Sequence, residues 1–162
     1  MKHLPLVPTA ALIGAVSAFA FQPVDWWPLL PIAFAGLCEL LLRAPTLRRA
    51  LAIGYAFGFA QFVIALNWIA TAFTYQSNMP AWLGWVGVLL VALYLAIYPA
   101  MAAGLAWRLS RGRRVPLLLV LAGAWAVTEW LRAGMFTGVP WNPAGVVLAD
   151  TPLLPTGALI GT

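Results

Sequence analysis

Charged side chains are scarce in this chain: of its 162 residues nine are Lys or Arg and four are Asp or Glu, 8% in all. A soluble domain carries about 25% charged residues, so this sequence cannot build a water-facing surface of ordinary kind. Cysteine is almost missing as well. Cys38 stands alone, which excludes an intrachain disulfide and leaves the redox compartment open. With one histidine, His3, and one cysteine, no metal-ligand cluster can be assembled from the usual spacings. The chain has no phosphate-binding loop, no dinucleotide fingerprint and no Ser-His-Asp constellation, so no cofactor is expected. Cys38 has no adjacent histidine and reads as a small buried apolar group rather than a nucleophile.

What is abundant is apolar sequence: 64% of residues are hydrophobic and the mean hydropathy is +0.93. A lipid environment removes the need for a charged coat, and a chain of this length suffices for several spans of about 20 residues. Apolar runs occupy residues 4–21, 27–42, 51–73, 81–107 and 115–135, and a sixth begins at 153 and is still apolar at 162. Backbone N–H and C=O groups in a bilayer must find partners within the chain, which requires helices in the absence of barrel-like alternation. The fold class predicted is therefore all-α: a polytopic transmembrane helix bundle forming one domain over 1–162, with five full spans and the start of a sixth. Turn-forming residues separate the runs, at Pro23 and Asp25, at Pro45, at Asn78 and Pro80, and at Gly112.

The net charge of +5 does not indicate nucleic-acid binding, because the basic residues form no solvated face. They fall on alternate loops. Lys2 precedes the first run; Arg43, Arg48 and Arg49 separate the second and third; Arg108, Arg111, Arg113 and Arg114 separate the fourth and fifth. The positive-inside rule then predicts a cytoplasmic N-terminus and two cytoplasmic arginine loops. Lys2, an apolar run and Ser17-Ala18-Phe19-Ala20 imitate a signal peptide with a small-residue cleavage site; the expectation is an uncleaved span.

Polar residues inside apolar runs narrow the search for a site. Glu39 and Arg43, four apart, read as an ion pair snorkelling at the interface. Glu129 and Arg132 lie three apart near the outer end of the fifth run, and Arg132 is the one basic residue expected on that side. Two readings stand side by side: a structural pair that pins the helix end, and a guanidinium fork for a lipid phosphate or carbonyl. Asn67, Thr71, Thr74 and Asn78 follow spacings of four, three and four on one face; such a face can line a polar cleft opening outward, but the favoured reading is interhelical glue. Gly54 and Gly58 form a small-xxx-small packing signal, and Pro99 predicts a kink near Tyr94 and Tyr98. Trp26, Trp27, Trp82, Trp85 and Trp141 read as an aromatic belt.

Four stretches carry a resemblance. They are Phe21-Gln22-Pro23-Val24-Asp25-Trp26-Trp27-Pro28; Ala52-Ile53-Gly54-Tyr55 through Gly58-Phe59 to Asn67-Trp68-Ile69, with Met79-Pro80; Tyr94-Leu95-Ala96-Ile97-Tyr98; and Thr128-Glu129-Trp130-Leu131-Arg132, followed by Thr137-Gly138-Val139-Pro140-Trp141. In order and spacing they resemble the membrane half of apolipoprotein N-acyltransferase. The resemblance implies a bacterial inner-membrane enzyme that moves an acyl chain from a membrane phospholipid to the N-terminal diacylglyceryl cysteine of a lipoprotein. It does so through a thioester on a cysteine, a form of covalent catalysis. In the family, that cysteine belongs with a glutamate and a lysine to a nitrilase-like domain that follows the sixth span. Cys38 matches no such motif and Lys2 is the one lysine, so no catalytic residue is carried over and the chain reads as a truncated member, inactive by itself. What carries over is a cleft-lining role for Glu129, Arg132, Trp141, Asn67 and Trp68, where lipid and lipoprotein tails enter. The alternatives are a small multi-span transporter or channel, or a non-catalytic membrane docking protein for polyprenol-phosphate glycosyl transfer.

Overall fold

The computed structural model describes residues 5–75, 80–135, 141–149 and 151. The expected sixth run, Lys2 and His3, the turn at 76–79, and residues 136–140 and 150 lie outside that set. Seven helices follow in order: α1 (Leu6–Ser17), extended by a 3-10 turn (Ala18–Ala20), α2 (Leu29–Leu42), α3 (Leu47–Ala65), α4 (Trp68–Thr74), α5 (Trp82–Leu95), α6 (Ile97–Ser110) and α7 (Arg114–Gly134). A second 3-10 turn covers Ala144–Leu148, and no strand occurs among the described residues. The chain is an all-helical bundle.

Two pairs of helices are single spans with a break. Leu47–Thr74 (28 residues), Trp82–Ser110 (29 residues) and Arg114–Gly134 (21 residues) are long and apolar enough to cross a membrane; Leu6–Ala20 and Leu29–Leu42 are shorter apolar helices. Three of the five expected runs thus reach spanning length among the described residues. The third run begins earlier than residue 51 because Thr46 caps it: the Thr46 hydroxyl accepts from Arg49 N at 3.3 Å. The break at Leu66 and Asn67 is a tightened turn, in which Asn67 N reaches back three residues to Ile64 O at 3.3 Å. The fourth run breaks at Ala96, between α5 and α6. Pro99 has no N–H for Leu95 O, and its ring crowds that carbonyl, so the predicted kink falls just ahead of the proline. The Tyr55 hydroxyl donates to Leu93 O at 3.0 Å across from α3.

Helix α3 runs through the middle of the bundle, between α1 and α6. Small residues let it approach both. A Cβ added at Gly14 of α1 would collide with Phe57 O, and one at Gly54 would lie 2.5 Å from Ala103 Cβ. At Gly58 it would meet Pro99 Cγ at 2.5 Å. The small-xxx-small pair is therefore an α3–α6 contact within one chain, into which Pro99 is seated. Because lipid tails are as apolar as the side chains, such close packing, rather than escape from water, holds the helices together. Phe34, Phe57 and Trp125 then join α2, α3 and α7, with ring centroids 4.5 Å apart for Phe34–Trp125 and 6.0 Å for Phe57–Trp125. A second cluster of Phe62, Leu66, Ala92 and Leu95 joins the far half of α3 to α5.

Both arginine loops occupy one end. Trp107 Nε1 donates to Ala44 O at 3.0 Å, linking the α6 end to the α2–α3 loop. Glu39 is more than half of an ion pair with Arg43 (2.8 Å); its other oxygen binds Arg114 of α7 at 3.0 Å. At the opposite end Trp26, Trp27, Trp82 and Trp85 are exposed, as a belt requires, whereas Trp141 packs inward on the second cluster. The glue reading of the Asn67 stripe is corrected. The turn at Leu66 resets the helical register, Asn67, Thr71 and Thr74 are exposed, and Thr74 Oγ1 donates to Thr71 O of its own helix at 2.7 Å. Asn78 lies outside the described residues.

Overpacking at the α3–α6 contact has a definite expected cost. Gly54→Val should destabilise the chain by about 1–3 kcal/mol, seen as a lower midpoint of thermal unfolding in detergent. Gly123→Val, at a site with nothing within 4 Å, should shift it far less. Equal midpoints for the two variants would contradict the packing described.

Candidate functional site

Helix α7 buries one stripe: Leu117, Leu121, Trp125, Thr128 and Arg132. The spacings of four, four, three and four follow the helical repeat, and the opposite face, with Leu118, Leu119, Val127 and Trp130, is exposed. Glu129 flanks the stripe four residues after Trp125, so the two side chains meet: Trp125 Nε1 donates to Glu129 Oε1 at 3.1 Å. The same oxygen accepts from Arg132 Nη2 at 3.3 Å and from Ala144 N at 2.8 Å. Ala144 opens the second 3-10 turn. Glu129 thereby ties the segment after α7 back onto α7. All three donors converge on Oε1; Oε2 accepts none among the described residues.

Arg132 is buried behind this carboxylate, its side chain 2% exposed against 18% for Glu129. Its guanidinium carbon stands 5.1 Å from the centre of the Phe62 ring, a cation–π contact that reaches α3. Arg132 Nε has no hydrogen-bond partner among the described residues. Nearby, the Tyr94 and Tyr98 hydroxyls lie 2.6 Å apart, and Tyr98 donates to Met135 Sδ at 3.8 Å, which draws α5 and α6 to the end of α7.

An apolar cleft of about 360 Å³ opens between α2 and α7. Phe34 and Cys38 line it from α2, Leu121, Ala122 and Trp125 from α7, and Glu129 with Ala144 closes one end. Its lining is apolar apart from the Glu129 carboxylate and the Cys38 thiol. Cys38 faces this apolar wall, and no group of three His, Cys, Asp or Glu residues converges among the described residues.

The five residues expected from sequence are divided by the fold. Glu129 lines the cleft. Arg132 and Trp141 both reach the Phe62 cluster, one through its guanidinium and the other by packing against it. Asn67 and Trp68 follow Leu66 of that cluster in the chain but are exposed, Trp68 by 56%. Sequence reasoning passed over Trp125, Phe34 and Ala144. The Trp125–Glu129 spacing of four was a usable signal for the first; the other two are distant in sequence and carried none.

Removing the carboxylate strands a buried cation. Glu129→Ala should cost about 3–5 kcal/mol of stability, read as a fall in the unfolding midpoint in detergent. Glu129→Leu combined with Arg132→Met should recover part of that loss, because no unpaired charge then remains. A double variant less stable than Glu129→Ala would show that the pair is not coupled.

Comparison with known proteins agrees with the motifs. The family profile described as "Apolipoprotein N-acyltransferase N-terminal domain" matches residues 13–162. The chain is 41% identical over 157 residues to the apolipoprotein N-acyltransferase of Ralstonia nicotianae, covering 95% of this chain and 30% of that protein. It is 41% identical over 154 residues to that of Chromobacterium violaceum, covering 94% and 30%, and 32% identical over 145 residues to that of Vibrio cholerae, covering 89% and 28%. The chain spans under a third of the length of these relatives. By the extent of these matches and the motifs at both ends of its bundle, it belongs to the apolipoprotein N-acyltransferase family, of which it carries the N-terminal domain.

Proposed function

We propose that this chain is the membrane part of a lipoprotein N-acyltransferase. It crosses the bacterial inner membrane with its N-terminus and arginine loops in the cytoplasm. Its Glu129 end shapes the entrance by which a phospholipid donor and a diacylglyceryl lipoprotein acceptor approach. The observation that carries the reading is the convergence of three donors on Glu129 Oε1, beside an apolar cleft, in a chain of this family. A carboxylate so engaged holds structure; it is not poised as a base. Glu129 and Arg132 are positioning residues in this reading. They keep the segment around Trp141 and Ala144 against α7, and Asn67 and Trp68 border the entrance from the α3–α4 break.

No acyl-carrying nucleophile is assigned here. Cys38 lies buried on an apolar wall, one residue before Glu39 and so toward the arginine end rather than the end that Glu129 occupies. The transfer chemistry is assigned to sequence that the longer relatives have and this chain does not span, and the chain by itself is expected to be inactive.

Two measurements test this. Alanine at the positions matching Arg132 and Trp141 in the full-length Ralstonia nicotianae relative should lower acylation of a diacylglyceryl lipoprotein by about tenfold or more, at unchanged expression; unchanged rates would exclude the positioning role. For orientation, in a Cys38→Ser background, Asp25→Cys should react with an impermeant thiol reagent in intact cells and Arg111→Cys only after permeabilisation. The reverse pattern would invert the topology.

A further inference from the structure

The arginine end carries a second feature, unrelated to the acyl-transfer reading. Seven arginines (43, 48, 49, 108, 111, 113 and 114) lie in the two loops and helix ends there. Among the described residues the carboxylates are Asp25, Glu39 and Glu129, and Glu39 alone belongs to this end. Arg43 and Arg114 already engage it, at 2.8 and 3.0 Å. Arg108 therefore stands exposed, with no carboxylate among the described residues to answer it.

Arg108 also sits at the mouth of an apolar groove. Leu47, Leu51, Met101, Gly104 and Leu105 line a first part of about 340 Å³ between α3 and α6, with Arg108 at its rim. Leu51 and Met101 are shared with a second part of about 580 Å³ that continues past Tyr55 to Ile97. Gly104 forms the floor and lets Leu51 pack directly on α6: a Cβ there would lie 2.6 Å from Leu51 Cδ2. On its other side Arg108 borders a polar recess with Arg111 and the buried Ser110. From Arg108 to Ile97 the helix rises roughly 16 Å, about half of the ~30 Å hydrocarbon core. A cationic rim above an apolar furrow one leaflet deep matches a single amphiphile.

We infer that the groove between α3 and α6 holds a phospholipid with an anionic headgroup, its phosphate at Arg108 and one acyl chain along Leu51 and Met101 toward Ile97. Charge complementarity selects this occupant: among the described residues the end carries seven arginines and one carboxylate, already paired, and in the orientation proposed above the leaflet beside it supplies anionic lipid. The lipid here is a structural ligand. It fills a furrow at the end opposite Glu129 and is not an acyl donor.

The test is native mass spectrometry of the 162-residue chain in detergent, titrated with phosphatidylglycerol or with phosphatidylcholine of identical chains. Phosphatidylglycerol should be retained at least about fivefold better, the worth of one basic residue near an anionic group. Arg108→Gln should lower its affinity by about that factor and lower that of phosphatidylcholine, whose phosphate is offset by its own choline cation, by less, while Arg113→Gln, away from the groove, should change neither. Leu105→Trp, which narrows the groove with every arginine in place, should weaken both lipids; Leu109→Trp, exposed outside it, should weaken neither. Equal retention of the two lipids, equal losses for Arg108→Gln and Arg113→Gln, or a dimer that displaces lipid would each overturn the assignment. Circular dichroism and elution profile establish folding of each variant. Should Arg108→Gln fail to accumulate, the Leu105→Trp and Leu109→Trp pair decides, and equal binding by those two overturns the inference.

Discussion

Close approach of α3 to α1 and α6 is the contact on which the rest of the bundle depends. In lipid there is little gain from hiding apolar surface, so helices associate only where backbones come near enough for dense packing. Gly14 against Phe57, and Gly54 and Gly58 against Pro99 and Ala103, provide that nearness on two sides of one helix. Once α3 is fixed, Phe57 presents its ring to Phe34 and Trp125, and Phe62 presents its ring to Arg132. The aromatic side chains of α3 thus serve both the core and the polar end. A shift of α3 would open the cleft beside Trp125 and withdraw the cushion beneath the guanidinium together.

The polar groups are concentrated rather than dispersed. One oxygen of Glu129 satisfies an indole, a guanidinium and a backbone amide, which is economical where each unpaired polar group is costly. Arg132 Nε is the exception among the described residues. Its burial favours the structural side of the two readings that the sequence left open, with the pair pinning the helix end. Glu129, not the arginine, is the charged side chain that lines the cleft.

Local spacing made part of this readable beforehand. Glu129 and Arg132, three apart, are a pair on one face whatever surrounds them, and Gly54 and Gly58 announce a tight helix contact. Pro99 announced a bend, which the structure places at Ala96. What spacing cannot supply is the partner across the bundle. Arg114 meets Glu39 across 75 residues, and nothing near either residue signals it. Trp141 packs against the Phe62 cluster although a tryptophan at an interface is ordinarily a belt residue. The polar stripe from Asn67 departs from its spacing for a related reason: a face extrapolated at 3.6 residues per turn fails once a single tightened turn intervenes.

The bond between Arg114 and Glu39 has a consequence out of proportion to its strength. The arginine is largely exposed and the glutamate partly so, 74% and 36%, and a pair of this kind adds little to stability. Yet it fastens the first residue of α7, while Glu129 fastens the last turn. The two anchor points are separated by roughly 22 Å of helix, so α7 is tied at both ends, weakly at Arg114 and firmly at Glu129. An axial slide of α7 to suit a thicker or thinner bilayer would part both ties at once, and the buried Glu129 contacts make that slide costly.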